Sequence, residues 1–456
     1  MQKIIVIFII MLSLMPVHAY KLGNTLDSKE YPETIMLEED KDNAKVISGT
    51  ITKTIDINLS NCIQIALGNN PEIDYAFQDI LANDAKIKQS WSNFFPRISW
   101  QTSWSHIKQL QLSDALSRNL EYEYYLLGQA SIDQLIYDFG VTQNKATINR
   151  LGYYASKKNF GEVVNNIICR TKNAYYKVLF AYKEVEIQGS AVENYQLFYN
   201  QAKAFYQVGL NPKVDVTIAQ ANLSNAKLKL IQAKTNVNIA MTELNNIMGV
   251  PYFEKYSLND NLEYNPISIN FDEAVEIAKT SRPSLKRVQI LVEQAHQNLN
   301  LAKKSFMPTL HAEAQYQRGG KHWTSNDGWN VGMYLNFTSV NAMLCRNQIK
   351  EARYLYDKQI AEAIKIQNDI YQEIQSAYLT LNEKKNQIPV ASIQVKQAKE
   401  NYELSLGRYK VGEASPIEMR EAENTLINSR LNYFTALYEY NVAKSNLERA
   451  IGKNLI

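Results

Sequence analysis

The sequence predicts a mainly α-helical chain with a membrane β-barrel part, in which a helix–β-hairpin–helix repeat occurs twice. Three observations predict this fold. The two halves of the chain match each other, each half contains two segments with a period of two, and long helical patterns flank those segments. The long helices are expected to form coiled coils that build an α-barrel, and the four strands to contribute to a barrel shared by several chains.

The N-terminus has the pattern of a secretory signal peptide over residues 1–19. Lys3 supplies a positive charge, an apolar stretch runs from Ile4 to Met15, and Ala19 ends a candidate cleavage site. That stretch is too short to span a membrane as a helix, although a buried N-terminal strand is an alternative interpretation. Residues 20–56, rich in Glu, Asp and Lys, are predicted to be an N-terminal extension that lies along the surface or is disordered.

The duplication is visible in the spacing of prolines and glycines. The matching pairs are Pro71 with Pro283, Pro96 with Pro308, Gly209 with Gly412 and Gly249 with Gly452. The proline pairs are 212 positions apart and the glycine pairs 203, so the first repeat has a longer loop between Pro96 and Ala174. We predict a first repeat over residues 57–250, a linker over 251–268 and a second repeat over 269–456, each a single structural unit.

Each repeat contains two segments in which apolar and polar residues alternate. The predicted strands cover residues 97–107, 124–137, 309–318 and 328–338. In the first of them, Ile98 and Trp100 alternate with Ser99 and Gln101. Outer-membrane strands have this pattern, with apolar side chains toward lipid and polar ones toward a lumen. A half-buried sheet of a water-soluble protein has the same alternation, but the signal peptide and the duplicated plan favour the membrane interpretation.

Helical patterns fill the rest of both repeats. The predicted helices cover residues 59–94, 140–208, 212–248, 271–306, 341–411 and 416–451. Between Val216 and Ile247, seam residues recur with spacings of three and four, and large residues such as Leu223 alternate with small ones such as Ala226. A period of 3.5 predicts left-handed coiling, and the small residues should let two helix backbones approach closely.

The four strands of one chain are too few for a membrane barrel of their own. An open strand edge cannot face lipid, because its backbone hydrogen-bonding groups would have no partner there. Closure therefore requires several chains, and a barrel of more than about eight strands leaves an open lumen.

At this point the residues resemble the TolC family of outer-membrane efflux proteins. The motifs are Phe205–Leu210 followed by Asp215, Arg408–Gly412, and the strand exit Tyr137–Gly140, within a resemblance that covers roughly residues 57–453. The resemblance implies a homotrimer whose twelve strands, four from each chain, form one barrel in the outer membrane of a Gram-negative bacterium. It also implies a periplasmic α-barrel that narrows at its tip. The function implied is an exit duct of a tripartite efflux pump or type I secretion system, which passively conducts substrates from the periplasm to the exterior.

Two Val-Gly turns are the docking tips that the resemblance implies. Their residues are Val208, Gly209, Leu210, Val411, Gly412 and Glu413. In the family these turns receive the periplasmic adaptor (membrane fusion) protein of an inner-membrane pump. Glycine between two antiparallel helices could instead serve only as a helix cap. The arginine that locks the closed tip in the best-studied member is replaced here by Ala414, so that lock is not expected.

The resemblance further implies a periplasmic gate near the second turn. Its candidate residues are Glu418, Glu421, Asp215 and Tyr409. The two glutamates lie three residues apart on one helical face, where family members ring the narrowest point of the duct with acidic residues that favour cations. Glu418 could instead complete a capping box with Ser415, and Glu421 could be an ordinary solvated residue. Asp215 is a weaker candidate for the ring.

The sequence offers little support for an enzyme. No two histidines after the signal peptide have metal-ligand spacing, the three cysteines lie far apart, and a net charge of +3 gives no argument for nucleic acid. We therefore predict no catalytic residues, no cofactor and no metal. A periplasmic adaptor and a structural coiled-coil protein remain alternatives, although an adaptor would have one helical hairpin rather than two. The sequence leaves the cargo open between drugs, metal ions and polypeptides.

Overall fold

The computed structural model describes residues 56–108, 121–209, 212–251, 256–258, 262–320, 326–337, 341–411 and 413–453. The predicted signal peptide, all but the last residue of the predicted extension, Leu210 and Gly412 lie outside the described residues. The chain divides into two compact units. The described parts of Leu81–Ala155 and Ile290–Ala361 form what we call the strand unit, and the other described residues form the helix unit.

The same order of elements occurs twice along the chain. The first repeat contains α1 (Leu59–Asn69), α2 (Pro71–Trp91), β1 (Arg97–Lys108), β2 (Glu121–Tyr137), α3 (Val141–Gln207) and α4 (Lys213–Met248). The second contains α5 (Phe271–Ser281), α6 (Pro283–Lys304), β3 (Thr309–Gly320), β4 (Asn326–Asn336), α7 (Ala342–Lys410) and α8 (Pro416–Ile451). The predicted fold class is confirmed: the chain is mainly helical, with one β-hairpin between the helices of each repeat.

Two predicted helices are wrong in one respect, because each is a pair of helices. The segment 59–94 is interrupted at Asn70, and the segment 271–306 is interrupted at Arg282; both residues have extended backbones, with ψ of 124° and 118°. A proline ring clashes with a helical residue directly before it, and Pro71 and Pro283 follow these two positions. Each proline therefore begins one helix and also ends the helix before it.

The strand unit contains a four-stranded antiparallel sheet with the order β1-β2-β3-β4. The hairpins of the two repeats join through β2 and β3, where Ala130 lies opposite Tyr316. One face of the sheet is apolar and open, with Trp100 70% exposed and Trp329 69% exposed. Within the described residues, the outer edges of β1 and β4 pair with no further strand. The sheet of one chain is therefore open on both sides.

The helix unit contains most of the long helices. The helix α3 has 67 residues and α7 has 69, and α7 continues through Pro389 without interruption. Along α4 the buried residues include Leu223, Ala226 and Ala233 from the predicted seam. None of the helices in the described part of the chain combines the length and the apolar character that a membrane crossing requires.

A tight joint at the end of α4 ties the helices of the first repeat together. Gly249 has a φ of +67°, which glycine adopts readily. It lies so close to α1 that an added Cβ would be 2.5 Å from the carbonyl oxygen of Asn69. Beside it, the side-chain amide of Asn70 donates to the carbonyl of Ile247 at 2.7 Å. The interruption between α1 and α2 thus provides the group that caps the last turn of α4.

The second repeat forms the same joint with different chemistry. Arg282 stands where the first repeat has Asn70, and its guanidinium donates to the carbonyl of Ala450 at 2.6 Å. It also forms an ion pair with Glu373, while Gly452, with a φ of +73°, packs against the Arg282 backbone. Both repeats therefore have the glycine and the capping contact. The capping group is an amide in the first repeat and a buried arginine, paired with a glutamate, in the second.

Candidate docking and gating site

The turn between α3 and α4, which we call the first tip, is exposed at its described residues Val208 and Gly209. The Gly209 N–H donates to the carbonyl of Tyr206 at 3.1 Å, and Gly209 has a φ of +78°. An added Cβ there would meet no atom within 4 Å, so only the backbone conformation favours glycine. Val208 is 70% exposed, and Pro212 precedes the first residue of α4. The first tip therefore presents an apolar side chain to solvent.

The turn between α7 and α8, the second tip, has an equivalent exposed valine. Val411 is 72% exposed directly after the end of α7. The Glu413 N–H closes the turn by donating to the carbonyl of Arg408 at 2.9 Å. The Ser415 hydroxyl then caps α8 by accepting from the Glu418 N–H at 3.2 Å. Both tips therefore have an exposed valine among their described residues.

An ion pair across the second tip was not predicted from the sequence. The Arg408 guanidinium lies 2.7 Å from a carboxylate oxygen of Glu418 and also donates to the Glu413 carbonyl at 3.4 Å. Only half of the predicted capping box is therefore present: Ser415 caps the helix, but the Glu418 carboxylate bonds to Arg408. The predicted antiparallel hairpin could have indicated this ion pair, because residues at similar distances from a turn lie opposite each other on its two helices. Glu418 is neutralised by a residue of its own chain.

The other gate candidates are the exposed Glu421 of α8 and a pair formed by the buried Tyr409 and the partly buried Asp215. Tyr409 is 5% exposed, packs edge-on against Phe198 with ring centroids 6.2 Å apart, and lines the same small cavity as Asp215. Burial raises the pKa of the Tyr409 hydroxyl, and the negative charge of Asp215 raises it further. The structure therefore brings Asp215 and Tyr409 together between the two hairpins, apart from the exposed Glu421.

A buried carboxylate, Glu423, joins the two helical hairpins and was not predicted. Its side chain on α8 accepts from the Asn194 amide of α3 at 3.0 Å, and the residue is 1% exposed. Its second oxygen, Oε2, has no hydrogen-bond partner among the described residues. Burial raises the pKa of Glu423. The hydrogen bond from Asn194, the charge of Arg430 and the Tyr402 hydroxyl act in the opposite direction, but burial has the larger effect. Glu423 directly follows the seam residue Ala422, and nothing in the sequence distinguishes it from a solvated glutamate.

We expect Glu423→Gln to stabilise the protein at neutral pH. A carboxyl group whose pKa is raised by folding binds more protons in the folded chain than in the unfolded chain. The contribution of this carboxyl group to the stability of the fold is therefore present below the unfolded-state pKa. It is lost as the pH rises through the raised folded-state pKa. Glutamine keeps an acceptor for Asn194 without the buried charge.

Thermal unfolding followed by circular dichroism as a function of pH tests this expectation. The unfolding midpoint of Glu423→Gln should exceed that of the unmodified protein at neutral pH, and the two should converge in acid. Glu421→Gln, two residues away and exposed, is the matched control and should show little difference. A lower midpoint for Glu423→Gln at neutral pH would mean that the charged form stabilises the joint between the hairpins.

Comparisons with known proteins agree with this architecture. The model of the outer membrane efflux protein family matches residues 62–250 and 274–453. The chain is 22% identical over 423 residues to the outer membrane protein TolC of Salmonella enteritidis, covering 89% of this chain and 84% of the relative. It is 20% identical to the alkaline protease secretion protein AprF of Pseudomonas aeruginosa, covering 69% of each. Its fold resembles that of the Campylobacter jejuni CmeC outer membrane channel with a TM-score of 0.77, at 18% identity, covering 86% of this chain and 85% of that chain.

The duplicated helical hairpins, the open antiparallel sheet and these likenesses define a class of protein, the outer-membrane exit ducts for efflux or secretion. The family match covers both repeats, each from its first helix to its last. The chain belongs to the outer membrane efflux protein family, which confirms the resemblance, the outer-membrane localisation and the duct function that the sequence predicted.

Proposed function

We propose that three copies of this chain form one duct, with their sheets closed into a single twelve-stranded barrel. The observation that carries this proposal is the open sheet, whose outer strands β1 and β4 each leave an edge unpaired among the described residues. Its exposed apolar face, which includes Trp100 and Trp329, suits contact with lipid, where an open strand edge is not tolerated. Pairing β1 of one copy with β4 of the next satisfies both edges and matches the order of the strands.

The two tips are the proposed docking surface for a periplasmic adaptor protein. Val208 and Val411 expose apolar side chains at turns between long helices, and a second helical hairpin can pack against them. The adaptor would connect the duct to an inner-membrane pump, which supplies the energy for transport. The duct itself then acts passively, without catalysis, cofactor or nucleic acid.

The gate at the second tip is proposed to depend mainly on Glu421. Glu418 and Glu421 together would place acidic groups around the axis of a trimer. Because Arg408 already pairs with Glu418, Glu421 is the one of these two glutamates that has no ion pair among the described residues. Asp215 and Tyr409 are proposed to hold the two hairpins together rather than to face the ions. Rings of carboxylates favour cations over anions in channels.

Single-channel recording in a planar bilayer tests the duct and its gate together. Glu421→Gln is expected to lower the preference for potassium over chloride. Arg408→Gln is expected to raise it, because the Glu418 carboxylate loses its partner and adds its charge to the lumen. Each effect should shrink in high salt, where charges are screened over distances of about 3 Å at 1 M.

The double variant Arg408→Gln/Glu418→Gln is the control for the second effect. It removes a cation and an anion together, so its selectivity should return close to that of the unmodified protein. If Arg408→Gln trimers form in normal yield and their selectivity is unchanged, the Glu418 carboxylate does not face the conducting path. Failure of the unmodified protein to conduct at all would contradict the duct.

A further inference from the structure

The polar face of the sheet holds a cluster of ionisable side chains that the gate does not use. Asp133 of β2 accepts hydrogen bonds from side chains of the adjacent strand β3 and of the strand beyond it, β4. The Nδ1 atom of His311 lies 3.1 Å from each of its carboxylate oxygens, and the Tyr334 hydroxyl donates to Oδ2 at 2.7 Å. The rings of His311 and Tyr334 stack with centroids 5.3 Å apart and 10° between their planes. The His311 and Asp133 side chains remain 21% and 29% exposed, so they are accessible to water.

The strand register adds two further charges to the same face. Arg97 of β1 lies opposite Asp133, and so does Glu313 of β3. Residues directly opposite each other on neighbouring strands project to the same side of a sheet. The ionisable groups that face His311 are therefore Arg97 from β1, Asp133 from β2, Glu313 from β3 and Tyr334 from β4. With an uncharged His311 the cluster has one net negative charge per chain, and with a protonated His311 it has none.

The hydrogen bond between His311 and Asp133 decides which ring nitrogen of His311 can bind an added proton. Carboxylate oxygens can only accept, so Nδ1 of His311 carries a hydrogen and donates it to Asp133. A proton taken up from acidic solution therefore binds at Nε2 and leaves the contact with Asp133 intact. Histidine is the side chain that ordinarily changes charge between about pH 5 and pH 8. The cluster can change its charge without changing its hydrogen bonds.

We propose that His311 and Asp133 make the ion preference of the barrel interior depend on pH, independently of the periplasmic tip. This inference rests on the proposed function, because the opposite face of the sheet is apolar and the polar face must then line the lumen of a closed barrel. Three copies place three such clusters at one level, which together lose three negative charges on acidification. Cations are favoured when the His311 rings are neutral, and the preference falls when the rings are protonated.

The test is the reversal potential in a potassium chloride gradient at about pH 8 and about pH 5.5, where histidine changes its charge. The background is Glu418→Gln/Glu421→Gln, which removes the two glutamates proposed for the gate. In this background the potassium preference should fall by about twofold or more on acidification. His311→Gln should abolish most of that fall. His296→Gln, which changes a histidine of α6 outside the sheet, is the matched control and should retain it.

A second variant covers the case in which His311→Gln assembles poorly. Asp133→Asn keeps an oxygen that can accept from His311 and Tyr334 but removes the negative charge. Its potassium preference at about pH 8 should equal that of the background at about pH 5.5. An unchanged pH dependence in His311→Gln, or an Asp133→Asn channel that keeps the background's potassium preference at about pH 8, would overturn this inference alone. Absence of conducting trimers in the background protein would overturn the proposed function and this inference with it.

Discussion

Gly249→Ala is expected to destabilise the protein by about 3 kcal/mol, the largest effect we expect from any single methyl group. Two costs add at this position. Alanine at a φ of +67° is strained by about 1–2 kcal/mol. Its Cβ would also lie 2.5 Å from the Asn69 carbonyl oxygen, a backbone atom that moves only if α1 shifts away from α4.

Gly209→Ala is the matched control, because it has the same strain without the contact. Its φ is +78° and an added Cβ meets nothing within 4 Å, so the expected cost is about 1 kcal/mol. Thermal unfolding of both variants in detergent separates the conformational cost from the steric one. Gly452→Ala, whose Cβ would lie 2.9 Å from Arg282 Cα, should resemble Gly249→Ala. Equal midpoints for Gly249→Ala and Gly209→Ala would show that the joint can relax without cost.

Val208→Asp/Val411→Asp is expected to lower the amount of adaptor bound to the duct by about tenfold or more, which corresponds to about 1.4 kcal/mol. Both valines are largely exposed in the free chain, so folding and assembly should be unaffected. In the complex, each aspartate would place a charge in an apolar contact, where it loses its hydration without gaining a partner. The measurement is cross-linking in cells, purification of the duct, and mass spectrometry of the adaptor protein recovered per trimer.

Gln207→Asp controls for the added charge at the first tip. This residue is exposed and directly precedes Val208, so the same charge is introduced outside the apolar contact. Its adaptor recovery should be higher than that of the single variant Val208→Asp, which is measured beside the double variant. If the double valine variant recovered as much adaptor as the unmodified protein, the docking surface would lie elsewhere on the helices.

The repeat plan was predictable because its signals are local and occur twice. The Pro71 and Pro283 pair, and the Gly249 and Gly452 pair, mark backbone conformations that few other residues adopt, so their spacing survives when the surrounding sequence changes. The interruptions at Asn70 and Arg282 were missed because a proline was recognised only as the start of a helix. Its effect on the residue before it is equally local and was available in the sequence.

The site was predicted less well, because its chemistry comes from contacts between distant segments. The Val208 and Val411 turns were visible as Val-Gly motifs, and both are exposed. The ion pair of Arg408 with Glu418 required the geometry of the hairpin, and the Glu423 contact with Asn194 joins residues 229 positions apart. The sequence does not distinguish a solvated, a paired and a buried glutamate, because the packing around the residue decides its charge.

The most direct test of the trimeric duct is the mass of the assembled particle in mild detergent. The open edges of β1 and β4 predict that the membrane form contains three chains and that no membrane-inserted monomer is stable. Native mass spectrometry of protein extracted from outer membranes should therefore show three chains per particle. A monodisperse monomer, extracted from the membrane and stable in the same detergent, would contradict the shared barrel and the duct built on it.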